Sequence, residues 1–213
     1  MPQGDPMSEA DRKRWNERYK AGAYGQRAHP SALLATMVEQ WLPVRGGARA
    51  LDLACGAGRN ALYLAEQGYQ VDAVDISSAA LAQGARRAEA AGLDVSWHEQ
   101  DLDRPQLDSG YALIIVVRYA DLDLVNRLPD LLEPGGKLLV EAHLGGPLFT
   151  EAVNELGECL IGGPGSERFR LPPGSLLDAA AGLETLFHQE AQVTDPDGAL
   201  MALAQFVGQA PDA

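Results

Sequence analysis

Leu51-Asp52-Leu53-Ala54-Cys55-Gly56-Ala57-Gly58-Arg59-Asn60-Ala61 is the stretch on which the fold turns. Arg49–Ala54 reads as a strand, the glycines as a tight turn, and residues 58–67 as a helix ending at Gly68. Glycine lets a backbone approach a ligand closely, and the start of the helix offers free N–H groups and the positive end of a dipole. Outward from this segment, short apolar runs alternate with helical stretches. Tyr69–Asp75 is a strand, and the alanine-rich stretch 78–91 is a helix capped by Ser77 or Ser78 and closed by Gly92. Asp94–Glu99 and Tyr111–Val117 are strands, Leu122–Leu132 is helical, and Pro134-Gly135-Gly136 turns the chain into a strand at Lys137–His143. Such alternation implies right-handed crossovers and a parallel sheet covered on both faces.

The ends of the chain differ. Residues 1–7 read as a tail, and Ser8 starts a helix over 9–20. Ser31 caps a second helix in which Leu33, Leu34, Met37, Val38, Trp41 and Leu42 recur at helical spacing, until Pro43, Gly46 and Gly47 stop it. Residues 144–174 are rich in Gly and Pro, and a short helix is expected around 175–181. Leu183–Val193 and Ala199–Val207 flank Asp195-Pro196-Asp197-Gly198, a turn sequence, and so form a hairpin that closes the sheet with an antiparallel edge strand. The expected fold is α/β, a Rossmann-like doubly wound seven-stranded sheet, mostly parallel with an antiparallel C-terminal hairpin strand. The expected organisation is a helical lid segment at 1–45 and one ligand-binding domain at 46–213, with 144–174 an irregular insertion on the substrate side.

Length and charge narrow the function. The chain has 213 residues and a formal net charge of −13, which disfavours non-specific binding to nucleic acid or anionic membranes. Residues 9–27 run against this trend, with Arg12, Lys13, Arg14, Arg18, Lys20 and Arg27 against Glu9, Asp11 and Glu17. A helix docking by charge onto an acidic body is the plainer reading, and a basic lid that attracts an anionic substrate the sharper one. Cys55 and Cys159 stand 104 residues apart without a Cys/His cluster, so neither a zinc site nor a disulfide scaffold is expected. With no apolar leader and no run long enough to cross a bilayer, a soluble cytoplasmic protein, monomer or homodimer, is expected.

Three carboxylates give the crevice its chemistry. Asp52 lies inside the first strand, where it suits a cationic ligand group and would oppose a pyrophosphate. Asp75 ends the second strand, 19 residues after Gly56, and suits ribose hydroxyls. Asp101 follows the third strand and suits an exocyclic amine. In an open parallel sheet ligands sit at the carboxyl ends of the strands. The set describes a ligand with an ammonium group, a ribose and an adenine. Gly56-Ala57-Gly58-Arg59-Asn60-Ala61 also satisfies a dinucleotide-binding pattern, which keeps an NAD-dependent oxidoreductase as an alternative.

On these residues the sequence resembles the class I S-adenosylmethionine-dependent methyltransferases. LDLACGAGRN is similar to the family's first motif, with Ala54 where glycine is commoner, VDAVDIS to its acidic ribose motif, and EQDLD to its adenine segment. RAHPSALL, CGAGRNALYLAEQGYQVDAVD and the later Arg168-Phe169-Arg170-Leu171 with PPGSLL look most like the tellurite-resistance methyltransferase group. The resemblance implies S-adenosylmethionine as cofactor. It implies cofactor contacts from Asp52, Ala54, Gly56, Gly58, Asn60, Asp75, Ile76, Asp101, Leu102 and Val117, and a lid carrying Tyr19, Arg27 and His29.

Methyl transfer from a sulfonium asks mainly for alignment and exclusion of water. The acceptor, a small molecule such as a thiol or oxyanion, is expected above the fourth and fifth strands. His143 or Tyr119 would assist the nucleophile, and Arg118 or Arg170 would orient an anionic acceptor. The plainer readings are a hydrogen-bonded structural His143, a salt-bridged Arg118, packing roles for Trp15 and Tyr19, and an inert buried Cys55. A regulatory module that binds the cofactor without turnover, and a protein or RNA methyltransferase, are the remaining alternatives.

Overall fold

The computed structural model describes residues 9–25, 27–41, 44–150 and 159–212. The elements in chain order are α1 (Glu9–Lys20), α2 (Ala32–Trp41), β1 (Arg49–Leu53), α3 (Arg59–Glu66), β2 (Gln70–Asp75) and α4 (Ser78–Ala91). Then come β3 (Val95–Glu99), β4 (Tyr111–Val117), α5 (Leu122–Arg127), β5 (Leu132–His143), α6 (Pro147–Thr150), α7 (Ser175–Ala179), β6 (Glu184–Thr194) and β7 (Leu200–Gln209). The seven strands follow the order β3-β2-β1-β4-β5-β7-β6. This is a Rossmann-like doubly wound sheet, parallel except for β7. The predicted tail at 1–7, its Ser8 cap, and Leu42 and Pro43 lie outside the described residues.

The chain forms two compact units. The first joins the segment up to Pro30 to Val44–Asp108, and the second joins Ser31–Pro43 to Ser109 onward. In the first, β1 pairs parallel with β2 and β2 with β3. Ala50–Leu53 are all buried, as expected of a parallel strand covered on both faces. Ser77 caps α4 by accepting from the N–H of Ala80 (3.2 Å), and Gly92 closes the helix in the left-handed region. Helix α1 docks within this unit on α4 and β3. Asn16 Oδ1 accepts from Ser77 Oγ (2.9 Å) and the N–H of Ala79 (3.0 Å), Gln83 Nε2 donates to the Tyr19 carbonyl (2.9 Å), and Arg12 pairs with Glu99 (2.5 Å).

In the second unit β4 pairs parallel with β5, β5 antiparallel with β7, and β7 antiparallel with β6. Helix α2 buries Leu33, Leu34 and Val38. Three details depart from the sequence expectation. Helix α5 stops at Arg127 and a 3-10 turn occupies Leu128–Leu131, because Pro129 sits at its start and withholds an N–H. Strand β5 begins at Leu132, so Pro134-Gly135-Gly136 is an excursion within the strand. Tyr111 faces Leu132, yet Leu113 faces Lys137. The antiparallel strand is not the edge: β7 enters between β5 and β6, and its run Met201–Gly208 is buried. The hairpin tip, Asp195–Gly198, is closed by the Asp195 N–H donating to Ala199 (2.9 Å) and the Gly198 N–H to Asp195 (2.8 Å). Because β6 and β5 both run antiparallel to β7, this tip stands at the same end as the carboxyl ends of β4 and β5. Among the described residues no helix is long and apolar enough to cross a membrane.

Candidate cofactor and acceptor sites

The first unit holds the glycine turn. Its backbone bends through the left-handed region at Ala54 (φ 54), Gly56 (φ 57) and Gly58 (φ 75) before α3 begins at Arg59. A side chain at either glycine would be strained by the positive φ and would have to displace a neighbour. A Cβ on Gly56 would collide with the Tyr19 hydroxyl from α1, and one on Gly58 with the six-membered ring of Trp97 from β3. The same ring lies against Gly84 in the middle of α4. The turn is thus held between two aromatic residues. The sequence reading missed Trp97. Its only signal was a glycine placed without local need inside an alanine-rich helix.

Asp52 is fully buried in β1, and neither carboxylate oxygen has a hydrogen-bond partner. Burial pushes its carboxyl up to about 8, against the opposing pull of the Arg59 guanidinium and of the Ala61 N–H, which is near enough to act on the charge but outside hydrogen-bonding geometry. An orphaned buried carboxylate is costly unless a cation or donor completes it. Asp75 is also buried and its carboxyl is raised by burial, although it accepts from the Gly56 N–H and the Ser77 N–H (2.8 Å each). Each oxygen thereby keeps one lone pair for a further donor. Ile76 and Leu102 are buried, and Asp101 accepts from the Asp103 N–H at 3.0 Å. The donors and acceptors left open here, a buried carboxylate at Asp52 and spare lone pairs at Asp75, are of the kind that an adenosine joined through sulfur to an amino acid could complete. Asn60 is buried in the first turn of α3.

The expected lid residues lie in the same unit. Tyr19 belongs to an aromatic group with Tyr24 (5.7 Å between centroids), which in turn meets Trp15 (6.4 Å). Burial first, then the Asp75 carboxylate, raises the Tyr19 phenol above its ordinary value. Arg27 lies 6.0 Å from the Tyr24 ring, and the His29 carbonyl accepts from Arg59 Nη1 (3.2 Å). Cys55 is buried and its thiol is driven well above the usual range by burial and by Asp52, as befits an inert thiol.

The residues expected at the acceptor belong to the second unit, and three of them are engaged differently from the expectation. Arg118, directly after the buried Val117, is held at φ 65. Its Nε donates to Glu141 Oε1 (3.1 Å) and its Nη2 to Asp195 Oδ1 (2.6 Å). The guanidinium expected to orient an anion is already neutralised, and the salt-bridge reading describes it. Arg170 is buried and donates to the carbonyls of Pro164 (3.0 Å), Leu144 (3.1 Å) and Gly162 (3.2 Å), with Phe149 stacked at 3.5 Å. It clasps the irregular segment, and burial lowers its affinity for a proton. His143 ends β5 buried, its ring covered by Gly163, which could carry no Cβ there. Tyr119 is half-buried.

A polar chain that the sequence reading did not foresee, buried at Glu141 and Gln205 and half-buried at Gln189, extends from Arg118. Gln205 Nε2 donates to Glu141 Oε2 (2.6 Å), and Gln189 Nε2 donates to Gln205 Oε1 (2.6 Å). Gln189 and Gln205 face each other across β6 and β7, and Gln205 and Glu141 across β7 and β5.

This fold, with its glycine turn and acidic strand ends, is that of the class I S-adenosylmethionine-dependent methyltransferases. Residues 50–136 match the family profile described as "Methyltransferase domain". The chain is similar to the ribosomal RNA small subunit methyltransferase B of Thermus thermophilus, 42% identical over 80 residues, covering 38% of this chain and 19% of that protein. It is similar to the malonyl-[acyl-carrier protein] O-methyltransferase of Enterobacter lignolyticus, 35% identical over 119 residues, covering 53% and 44%. Its fold is similar to that of TehB from Haemophilus influenzae, with a TM-score of 0.66, 21% identity, and 92% and 67% of the two chains covered. The chain spans less than half the length of the curated relatives it matches. The cofactor of such a domain is S-adenosylmethionine.

Proposed function

We propose that this protein transfers a methyl group from S-adenosylmethionine to a small-molecule acceptor. When bound, the cofactor supplies a sulfonium methyl for in-line displacement. The observation that carries the reading is the buried Asp52 carboxylate, neither of whose oxygens has a hydrogen-bond partner, at the start of the glycine turn. Asp52 would hold the ammonium group, Asp75 the ribose hydroxyls, and Ile76, Asp101 and Leu102 the adenine. Gly56 and Gly58 would bend the backbone of the turn around the ligand, with Ala54 and Asn60 shaping the turn and Val117 a further contact. Tyr19, Arg27 and His29 would close over the cofactor and exclude water. Tyr119 and Arg118 would shape the acceptor end, and His143 would assist only after Gly163 moves off its ring.

A small acceptor is favoured over RNA or protein by the net charge of −13, which opposes polyanions. The malonyl-[acyl-carrier protein] O-methyltransferase among the relatives supports a small acyl group as acceptor, there borne on a carrier protein, whereas the ribosomal RNA methyltransferase keeps the larger acceptors as an alternative. A cytoplasmic monomer or homodimer, with a lid at 1–45 and a substrate-side segment at 144–174, completes the proposal.

Calorimetry with S-adenosylhomocysteine tests it directly. Because Asp52 is largely protonated near pH 7, capture of an ammonium group should release a proton, visible as heats that differ between buffers. Asp75→Ala should weaken binding by at least about tenfold, the worth of one charge-assisted hydrogen bond. No binding heat, or stabilisation by NAD instead, would overturn the proposal.

A further inference from the structure

We infer that the acceptor end of the second unit is built for a neutral polar group that both donates and accepts a hydrogen bond, such as a carboxamide, and that it rejects carboxylates and other oxyanions. The inference rests on the methyltransferase reading and narrows its acceptor.

The charges decide the sign. Around Arg118 a single guanidinium meets two carboxylates, Glu141 and Asp195, both more than nine-tenths buried. The other members of the chain, Gln189 and Gln205, are neutral amides. The cluster carries one surplus negative charge. An anion brought beside it would pay both its own desolvation and like-charge repulsion in a medium that screens poorly.

The unsatisfied atoms decide the shape. Both oxygens of Glu141 are used, one by Arg118 and one by Gln205. Two atoms are left over, both buried and without a hydrogen-bond partner: Arg118 Nη1, a donor, and Asp195 Oδ2, an acceptor. They sit on the two groups joined by the 2.6 Å bond from Nη2 to Oδ1. Covalent geometry therefore keeps them within about 7 Å of each other, a span that the oxygen and nitrogen of one amide edge can bridge. A carboxylate could serve Arg118 Nη1 but offers nothing to Asp195 Oδ2. A carboxamide serves both.

The topology places this pair with the ligand-facing ends. Arg118 follows the last residue of β4, Glu141 lies two residues before the end of β5, and Asp195 opens the hairpin tip at the same end. The backbone of Arg118 is held in the left-handed region, unusual for a long side chain, and its N–H donates to the Glu141 carbonyl at 2.6 Å. The guanidinium is therefore fixed from both its ends.

The test uses isosteric probes on the full chain saturated with S-adenosylhomocysteine. Benzamide and benzoate are titrated separately, with binding read by saturation-transfer NMR. Benzamide should bind at least tenfold tighter than benzoate. In Asp195→Asn, which removes the surplus charge while keeping the shape, that preference should fall below about threefold, with the affinity for S-adenosylhomocysteine unchanged within twofold. A merely structural role for Asp195 would weaken both probes, or the cofactor product, together. Benzoate binding as well as benzamide, or neither binding, overturns the inference, as does a high-resolution structure showing only an ordered water on the two atoms in the presence of benzamide. If Asp195→Asn does not fold, the comparison on the natural chain still decides. Failure to bind S-adenosylhomocysteine at all would strike the methyltransferase reading instead.

Discussion

Ala54 shows how a single residue bears the cost of this site. It holds φ 54 in the turn after β1, a region that glycine enters freely and alanine does not. Ala54→Gly should therefore raise stability by about 1 kcal/mol in urea melts, and Ala54→Val should lower it by more. A loss on Ala54→Gly would mean that the methyl group packs usefully. Asp52 gives a second test at this scale. Its carboxyl is raised to about 8 in the fold, against about 4 in an unfolded chain. The folded form then holds a proton that the unfolded form has shed, so this residue's contribution is full below pH 4. It is lost as the pH climbs toward 8 and is constant beyond. The stability of Asp52→Asn relative to the natural chain should accordingly improve between pH 5 and pH 8. A flat difference across that range would show that the carboxylate finds a partner in solution.

At the scale of elements, the docking of α1 depends on one amide. Asn16 Oδ1 collects the Ser77 hydroxyl and the Ala79 N–H at the start of α4, and thereby satisfies donors that a helix leaves open. Asn16→Ala should raise amide exchange across 9–20 by about five- to thirtyfold, equivalent to about 1–2 kcal/mol, and leave β4 to β7 untouched. Equal exchange in both proteins would place the docking energy in Arg12–Glu99 and the aromatic group instead. Most elements are legible in the sequence, because apolar spacing and caps are local signals. Ser77 and Gly92 bound α4 as their chemistry suggests. The start of β5 is not legible in that way. Pro134-Gly135-Gly136 has turn chemistry, and only pairing with β4 absorbs it as an excursion within a strand.

Over the whole molecule the acidic excess is the dominant electrostatic fact. A net charge of −13 on 213 residues repels itself, and salt screens that repulsion within about 10 Å at 0.1 M. The Tm should rise by a few degrees between about 0.01 and 0.5 M sodium chloride. A fall would mean that attractive pairs such as Arg12–Glu99 and Arg49–Asp72 outweigh the repulsion.

What the sequence determined by itself was the strand-turn-helix at 49–66, the carboxylates at 52, 75 and 101, the seven strands and the closing hairpin. Each of these is written in neighbouring residues, through the period of apolar side chains and the backbone freedom of glycine. Only the tertiary structure decided what the buried charges touch. Arg118 meets Asp195 from 77 positions away, Arg170 finds three carbonyls of the segment it clasps, and Trp97 fills the space over Gly58 and Gly84. A charge removed from water takes whichever partners the packed chain brings to it, and spacing along the sequence does not encode that choice.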